Sequence, residues 1–386
     1  MQTVAGTLEK IAARDGEIRS LQYGRGLAAL FVCLFHYEGA MAHVQGPAGW
    51  NIEFIFRAGH SGVEFFFILS GFIIFHAHRN DIGRPNRVVD FYLRRATRIL
   101  PMFWFIVIPF GIAVLAISSR GLLTPGKFLL DILLIPREGT LTLPAAWTLQ
   151  HEVVFYLIFG LLILNIRVGI IALTLWQTAC FVVLVFDLLP QDYLLPASTY
   201  FGFYNFGFLF GILIALVNQQ FKLAMYRRSI AVLGAIGCLG LLACFIGEWR
   251  LGNSFFPTPA TATLTYFCLY SLLIVALLSM ENRPRPIMDA TLGRLGAGSY
   301  ILYVIHEPLY SVLDKIFALS AQRDLATAMV AFVAASLVAV LISVWMHYAI
   351  ERPMLRNLRR YLLSEQRNSI AGSRLSVGDF KRRQLT

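Results

Sequence analysis

Charge is what this chain has least of: Asp, Glu, Lys and Arg make up 14% of its 386 residues, while 57% are hydrophobic. A soluble globule of that length needs a far larger polar coat, so a soluble enzyme or binding module is excluded. Cysteine is also sparse. Cys33, Cys180, Cys238, Cys244 and Cys268 show no CxxC spacing and fall in or beside apolar runs. That argues against a disulfide framework or a cysteine metal site and leaves buried small hydrophobes. P-loop, Rossmann glycine, HExxH and GxSxG patterns are missing, as is any internal repeat. The first 20 residues are polar, with Glu9, Lys10, Arg14, Asp15, Glu17 and Arg19, so no cleavable leader is expected.

What the chain does have is apolar runs of membrane-spanning length. They cover residues 25–43, 59–78, 99–119, 146–164, 168–189, 198–217, 229–247, 261–280, 296–316 and 325–350. Runs this long exclude a barrel, because strands cross in far fewer residues, and predict an all-α polytopic bundle of about ten transmembrane helices. Placing the N-terminus inside puts 26 of the 33 Lys and Arg in cytoplasmic segments. The positive-inside bias therefore predicts both termini in the cytoplasm and, for a bacterial chain, a place in the inner membrane. The net charge of +11 reflects that bias and not a nucleic-acid partner. Residues 1–20 form a cytoplasmic segment in which Val4, Leu8, Ile11 and Ile18 suit a short surface helix. Residues 21–360 hold the membrane domain, and 361–386 read as a disordered cytoplasmic tail. The external stretch 124–145 is too short to cross and reads as interfacial or re-entrant.

Ionisable groups inside such spans are costly and mark function by default. Arg25 and His36 are eleven residues apart, close to three helical turns, so they share a face with His36 roughly 16 Å deeper. Glu38 follows two residues on. A buried neutral imidazole is a competent general base. In the second span Glu64 lies one turn beyond His60, and Ser70-Gly71 opens a gap in a bulky run, for close packing or for a ligand. Arg94, Arg95 and Arg98 crowd before Pro101 without a lysine, and arginine's planar fork suits phosphate. The fourth span carries Trp147, an interfacial anchor, then His151, Glu152 and, one turn further, Tyr156. The ninth carries Tyr300, Tyr303, His306, Glu307 and Pro308; the last ends in Glu351-Arg352-Pro353.

Five of these pieces occur together in one order: Arg25 with His36, GVEFFFILSGFIIF at 62–75, FYLRRATRILP at 91–101, WTLQHEVVFY at 147–156 and SYILYVIHEP at 299–308. In that order the chain resembles the membrane acyltransferase-3 family, and within it the bacterial exopolysaccharide and O-antigen O-acetyltransferases. It departs in having Glu64 where many relatives carry aspartate, and no hydrolase-like extracytoplasmic domain is fused to it. The resemblance implies transfer of an acetyl or other short acyl group from cytosolic acyl-CoA to a sugar hydroxyl of a cell-surface or exopolysaccharide acceptor, lipid-linked and reached within or across the membrane. Acyl-CoA is then a co-substrate, with no resident cofactor or metal. The implied partners are acyl-CoA, a carbohydrate or glycolipid, and membrane lipid.

On that reading His36 is general base or nucleophile, Arg25 joins the clamp or polarises the thioester, and Glu152 or Glu64 orients His36. Arg94, Arg95 and Arg98 hold the CoA phosphates. Tyr156, Ser70, His306 and Trp147 serve the acceptor side or the packing. A second reading, a proton-coupled transporter or a flippase of a lipid-linked sugar, fits the buried His and Glu residues but not the missing repeat or the arginine cluster.

Overall fold

The computed structural model describes residues 18–40, 55–117, 123–189, 195–221, 223–281, 285–318, 325–358 and 360. The tail at 361–386 and most of the expected surface helix at 1–20 lie outside these residues, as does the Glu38 side chain. Among the described residues every regular element is a helix, with no strand. The described part of each of the ten expected spans falls mostly on helix. Eight of the helices are long and apolar enough to cross a membrane. The other two, α1 (Arg19–Ala40) and the helix Ser299–Ala318, carry the ionisable groups described below.

Helix α2 (Gly62–His78) is the centre of the bundle. Its best crossing window is 72% buried, against 22% for the later helices around 166–185 and 227–254, which therefore form the lipid-facing rim. The depth of α2 is made possible by glycine. A Cβ on Gly71 would stand 2.2 Å from the Phe208 carbonyl oxygen, and one on Gly211 would stand 2.0 Å from that of Ile68. Any larger residue would push the two backbones apart, so the opening at Ser70-Gly71 is first a helix crossing.

The elements around α2 follow in chain order. α3 (Val88–Ile117) runs uninterrupted through Pro101 and Pro109. With its leading turn it spans 33 residues, about 50 Å, so roughly two-fifths extends past a ~30 Å hydrocarbon core. Arg94, Arg95 and Arg98 lie in that early part. α4 (Pro125–Ile132) is too short to cross. The segment after it is stapled by Asp131, which takes two N–H bonds from Arg137 at 2.7 and 2.8 Å and the Thr142 amide at 2.8 Å. Next come α5 (Trp147–Leu164), α6 (Ile166–Val185), α7 (Phe206–Phe221, crossing α2), α8 (Arg227–Leu251), α9 (Pro259–Ser279), α10 (Ser299–Ala318) and α11 (Leu325–Met346). α1 packs against α2 and α10, and α10 against α11. Just beyond α9, Glu281 caps α1: its carboxylate accepts the Arg19 and Ser20 amides at 2.8 and 2.9 Å and the Ser20 hydroxyl at 2.7 Å. Those amides have no partner within their own helix.

Candidate active site

His36 sits nearly five turns along α1 and three turns beyond Arg25, its Nδ1 2.9 Å from the Val32 carbonyl. A carbonyl oxygen only accepts, so Nδ1 carries a hydrogen, and in the neutral ring Nε2 presents a lone pair. That lone pair faces Glu307 of α10, 3.6 Å from Oε1. The other oxygen of Glu307 accepts the Ala145 amide at 2.8 Å, just before α5 begins. Three elements thus hold one carboxylate against one imidazole. The ring of His306 lies 4.9 Å from that of His36, and its Nδ1 is 2.7 Å from the Tyr303 carbonyl.

Neither expected partner of His36 bonds to it. Glu152 is held on α5 by the Ser70 hydroxyl at 2.6 Å and by a short bond from Tyr156. Glu64, 1% exposed, accepts from Thr263 of α9 at 3.2 Å, and its second oxygen is buried without a partner. The reason is rotational. The His36 face of α1 turns toward α10, while Ser70 on α2 turns toward α5. Ser70 and Tyr156 are accordingly brought together with Glu152, and His306 with His36.

Trp147 packs on the Tyr204 ring at 4.9 Å and the His151 ring at 5.5 Å. Thr148 beside it lies 3.1 Å from the Tyr303 hydroxyl, one turn from His306. His151 donates from Nδ1 to the Asn205 side chain at 2.8 Å, and Asn205 in turn donates to the Thr199 and Tyr200 carbonyls. That chain of bonds is packing.

The arginines of α3 have different surroundings. Arg98 is 2.8 Å from the fully buried Glu351, which also meets His347 at 2.7 Å in the π turn closing α11. Its guanidinium lies 5.9 Å from the centre of the Tyr300 ring. Arg95 donates to His78 Nε2 at 3.2 Å, and His78 passes its own hydrogen to Asp81 at 2.9 Å. Arg94 is exposed. Arg25 donates to Gln22 at 3.3 Å and adds to the positive field at Glu351. The phosphate-binding expectation therefore meets one open arginine and two with partners.

Sequence reasoning gave Glu307 no role beside His36. The only available signal was its place next to His306 and Pro308, and adjacent helical residues ordinarily point apart. A second pair that the sequence does not reveal joins the half-buried His60 to the buried Glu248 at 3.3 Å; Glu248 further accepts from Tyr266 at 2.6 Å.

Residues 18–348 match the family model described as an acyltransferase domain. Among curated proteins, the chain is 28% identical over 317 residues to the exopolysaccharide production protein ExoZ of Rhizobium meliloti (strain 1021), covering 79% of this chain and 92% of that one. It is 24% identical over 370 residues to the acyltransferase MdmB of Streptomyces mycarofaciens, covering 87% and 91%. No solved structure matches.

Proposed function

The chain belongs to the acyltransferase domain family and is a membrane acyltransferase, and on that premise we propose that it moves an acetyl or other short acyl group from cytosolic acyl-CoA to a sugar hydroxyl. The acceptor is a cell-surface or exopolysaccharide unit carried on a lipid; the Rhizobium relative's name, an exopolysaccharide production protein, supports only the exopolysaccharide part. The protein sits in the inner membrane with both termini in the cytoplasm, in keeping with the bias of its basic residues.

The observation that carries this reading is the His36–Glu307 contact, with His36 Nδ1 already committed to Val32. Nε2 takes the proton of the acceptor hydroxyl as its oxygen attacks the thioester carbonyl carbon. The imidazolium so formed has an acceptor for each N–H, the Val32 carbonyl and the Glu307 carboxylate. The tetrahedral intermediate expels CoA as thiolate by breaking the C–S bond, and the imidazolium returns the proton to sulfur. Glu307 is a positioning residue: it favours the charged ring that forms during transfer. Arg94, with Arg95 and Arg98 behind it, meets the CoA phosphates where α3 leaves the membrane, and Arg25 stands between that clamp and His36. Glu152, Ser70, Tyr156 and Trp147 line the approach of the acceptor.

The test is transfer of radiolabelled acetyl from acetyl-CoA to candidate glycans by the purified protein in lipid nanodiscs. Product is expected with wild type, and His36→Ala should lose roughly 10²–10⁴-fold, the range of a general base. Neither transfer nor CoA release by wild type with any acceptor would turn the reading toward transport.

A further inference from the structure

Three electron-pair donors converge between α1 and α10. His36 Nδ1 spends its hydrogen on Val32 at 2.9 Å and His306 Nδ1 spends its own on Tyr303 at 2.7 Å. In the neutral rings both Nε2 atoms are therefore bare lone pairs. The second oxygen of Glu307 is held by the Ala145 amide at 2.8 Å, which leaves Oε1 facing the rings. His306 is fully buried, and its Nε2 has no hydrogen-bond partner. A buried lone pair without a donor is costly unless something electropositive meets it. Arg25, the cation on the same face of α1, is three turns away and committed elsewhere.

We propose that His36, His306 and Glu307 form a binding site for one divalent transition ion of the zinc class. The three ligand atoms lie within 4.8 Å of one another, and His36 Nε2 is 3.6 Å from Glu307 Oε1. Ligands at ~2.0–2.2 Å from a tetrahedral ion stand about 3.3–3.6 Å apart, so a side-chain rotation of about 1 Å closes the set. Two imidazoles and one carboxylate select zinc, cobalt or nickel over magnesium or calcium, which prefer oxygen donors alone. Each ligand also has the outer contact that metal-binding side chains use to fix their direction: a backbone carbonyl behind each ring and a backbone amide behind the carboxylate. Three protein ligands leave a fourth position open.

The consequence for transfer rests on the acyl-transfer reading above. An ion on His36 Nε2 occupies the lone pair that would accept the proton, so the loaded form is inactive and the site is a point of inhibition by zinc-class metals. The metal claim itself is tested without activity. Purified full-length protein, stripped with chelator, is titrated with Co²⁺ and followed by the visible d–d absorption of a low-coordinate site, with Zn²⁺ displacement as the second readout. One ion per chain is expected. His306→Ala should weaken binding by more than the ~10–100-fold that losing an outer contact costs. Glu307→Gln, nearly equal in shape, guards against a folding artefact and should weaken it too. His60→Ala, which alters the separate His60–Glu248 pair, should leave the titration unchanged. No 1:1 endpoint, or an endpoint that survives His306→Ala and Glu307→Gln, overturns the site. Loss of transfer in metal-free His36→Ala tests the acyl-transfer reading separately, so either claim can fail alone.

Discussion

Arg98 donates a 2.8 Å hydrogen bond to Glu351, joining the early part of the third helix to the turn that ends the last one. Glu351 has no exposed surface, and His347 is its other partner. A carboxylate that deep needs both, so Arg98 holds the bundle together as well as adding charge where acyl-CoA is proposed to bind.

Removing Arg98 and removing Arg94 should therefore differ. Arg98→Ala leaves a buried carboxylate with one partner and is expected to cost about 1–3 kcal/mol, below the full cost of breaking a buried pair because Arg98 is partly exposed. Adding Glu351→Gln should recover part of that loss. Arg94→Ala should leave stability unchanged and raise the KM for acetyl-CoA more than it lowers kcat. Thermal melting in detergent with initial-rate kinetics separates the two; equal behaviour of both variants would contradict it.

Glu307→Gln keeps the size of the side chain and an oxygen for the Ala145 amide but removes the charge facing His36. Turnover should fall about 10²-fold or more with little change in KM for acetyl-CoA, because the lost interaction belongs to the imidazolium. A rise in KM at constant kcat would move Glu307 out of the chemistry and into donor binding.

For Glu152 the expected pattern is different. Ser70 and Tyr156 both donate to the same carboxylate oxygen, and the amide oxygen of Glu152→Gln can accept from both, so folding should survive. Ser70→Ala should cost about 0.6 kcal/mol, the usual value of a hydrogen bond between membrane helices. If Glu152 lines the acceptor path, Glu152→Gln raises the KM for the glycan and spares that for acetyl-CoA; unchanged kinetics for both substrates would leave it a packing residue.

Gly211→Ala inserts a methyl group 2.0 Å from the Ile68 carbonyl. The crossing of α2 and α7 should open, and the protein should lose its monodisperse peak in size-exclusion chromatography. A variant that stays monodisperse and keeps its thermal transition would show that the contact yields easily.

Much of the fold was legible because lipid leaves so few choices. A run of twenty apolar residues must be helical, and the described part of each expected span falls mostly on helix. The site was legible in part. His36 stands out in sequence because an imidazole between apolar residues has no cheap explanation. Its neighbour does not, since a helix's rotation about its own axis is set by packing that local spacing cannot report. Glu152 and Glu64 were plausible by depth alone, yet the structure turns them toward Ser70 and Thr263 and brings Glu307 to His36. Likewise, phosphate-ready arginines and arginines held by buried acids look alike in sequence; only the fold puts Glu351 beside Arg98.

The cap that Glu281 places on Arg19 and Ser20 acts as a depth gauge. A helix is a stiff rod rising ~1.5 Å per residue, so fixing its first turn sets the height of His36, seventeen positions on, at about 25 Å from that anchor. One residue inserted between 20 and 36 would lift the imidazole by ~1.5 Å and swing it by ~100°. The composition of the helix would barely change, yet the ring would leave Glu307 altogether. Spacing within the first span is thus constrained more tightly than its residues are, because a carboxylate on a distant segment fixes where counting begins.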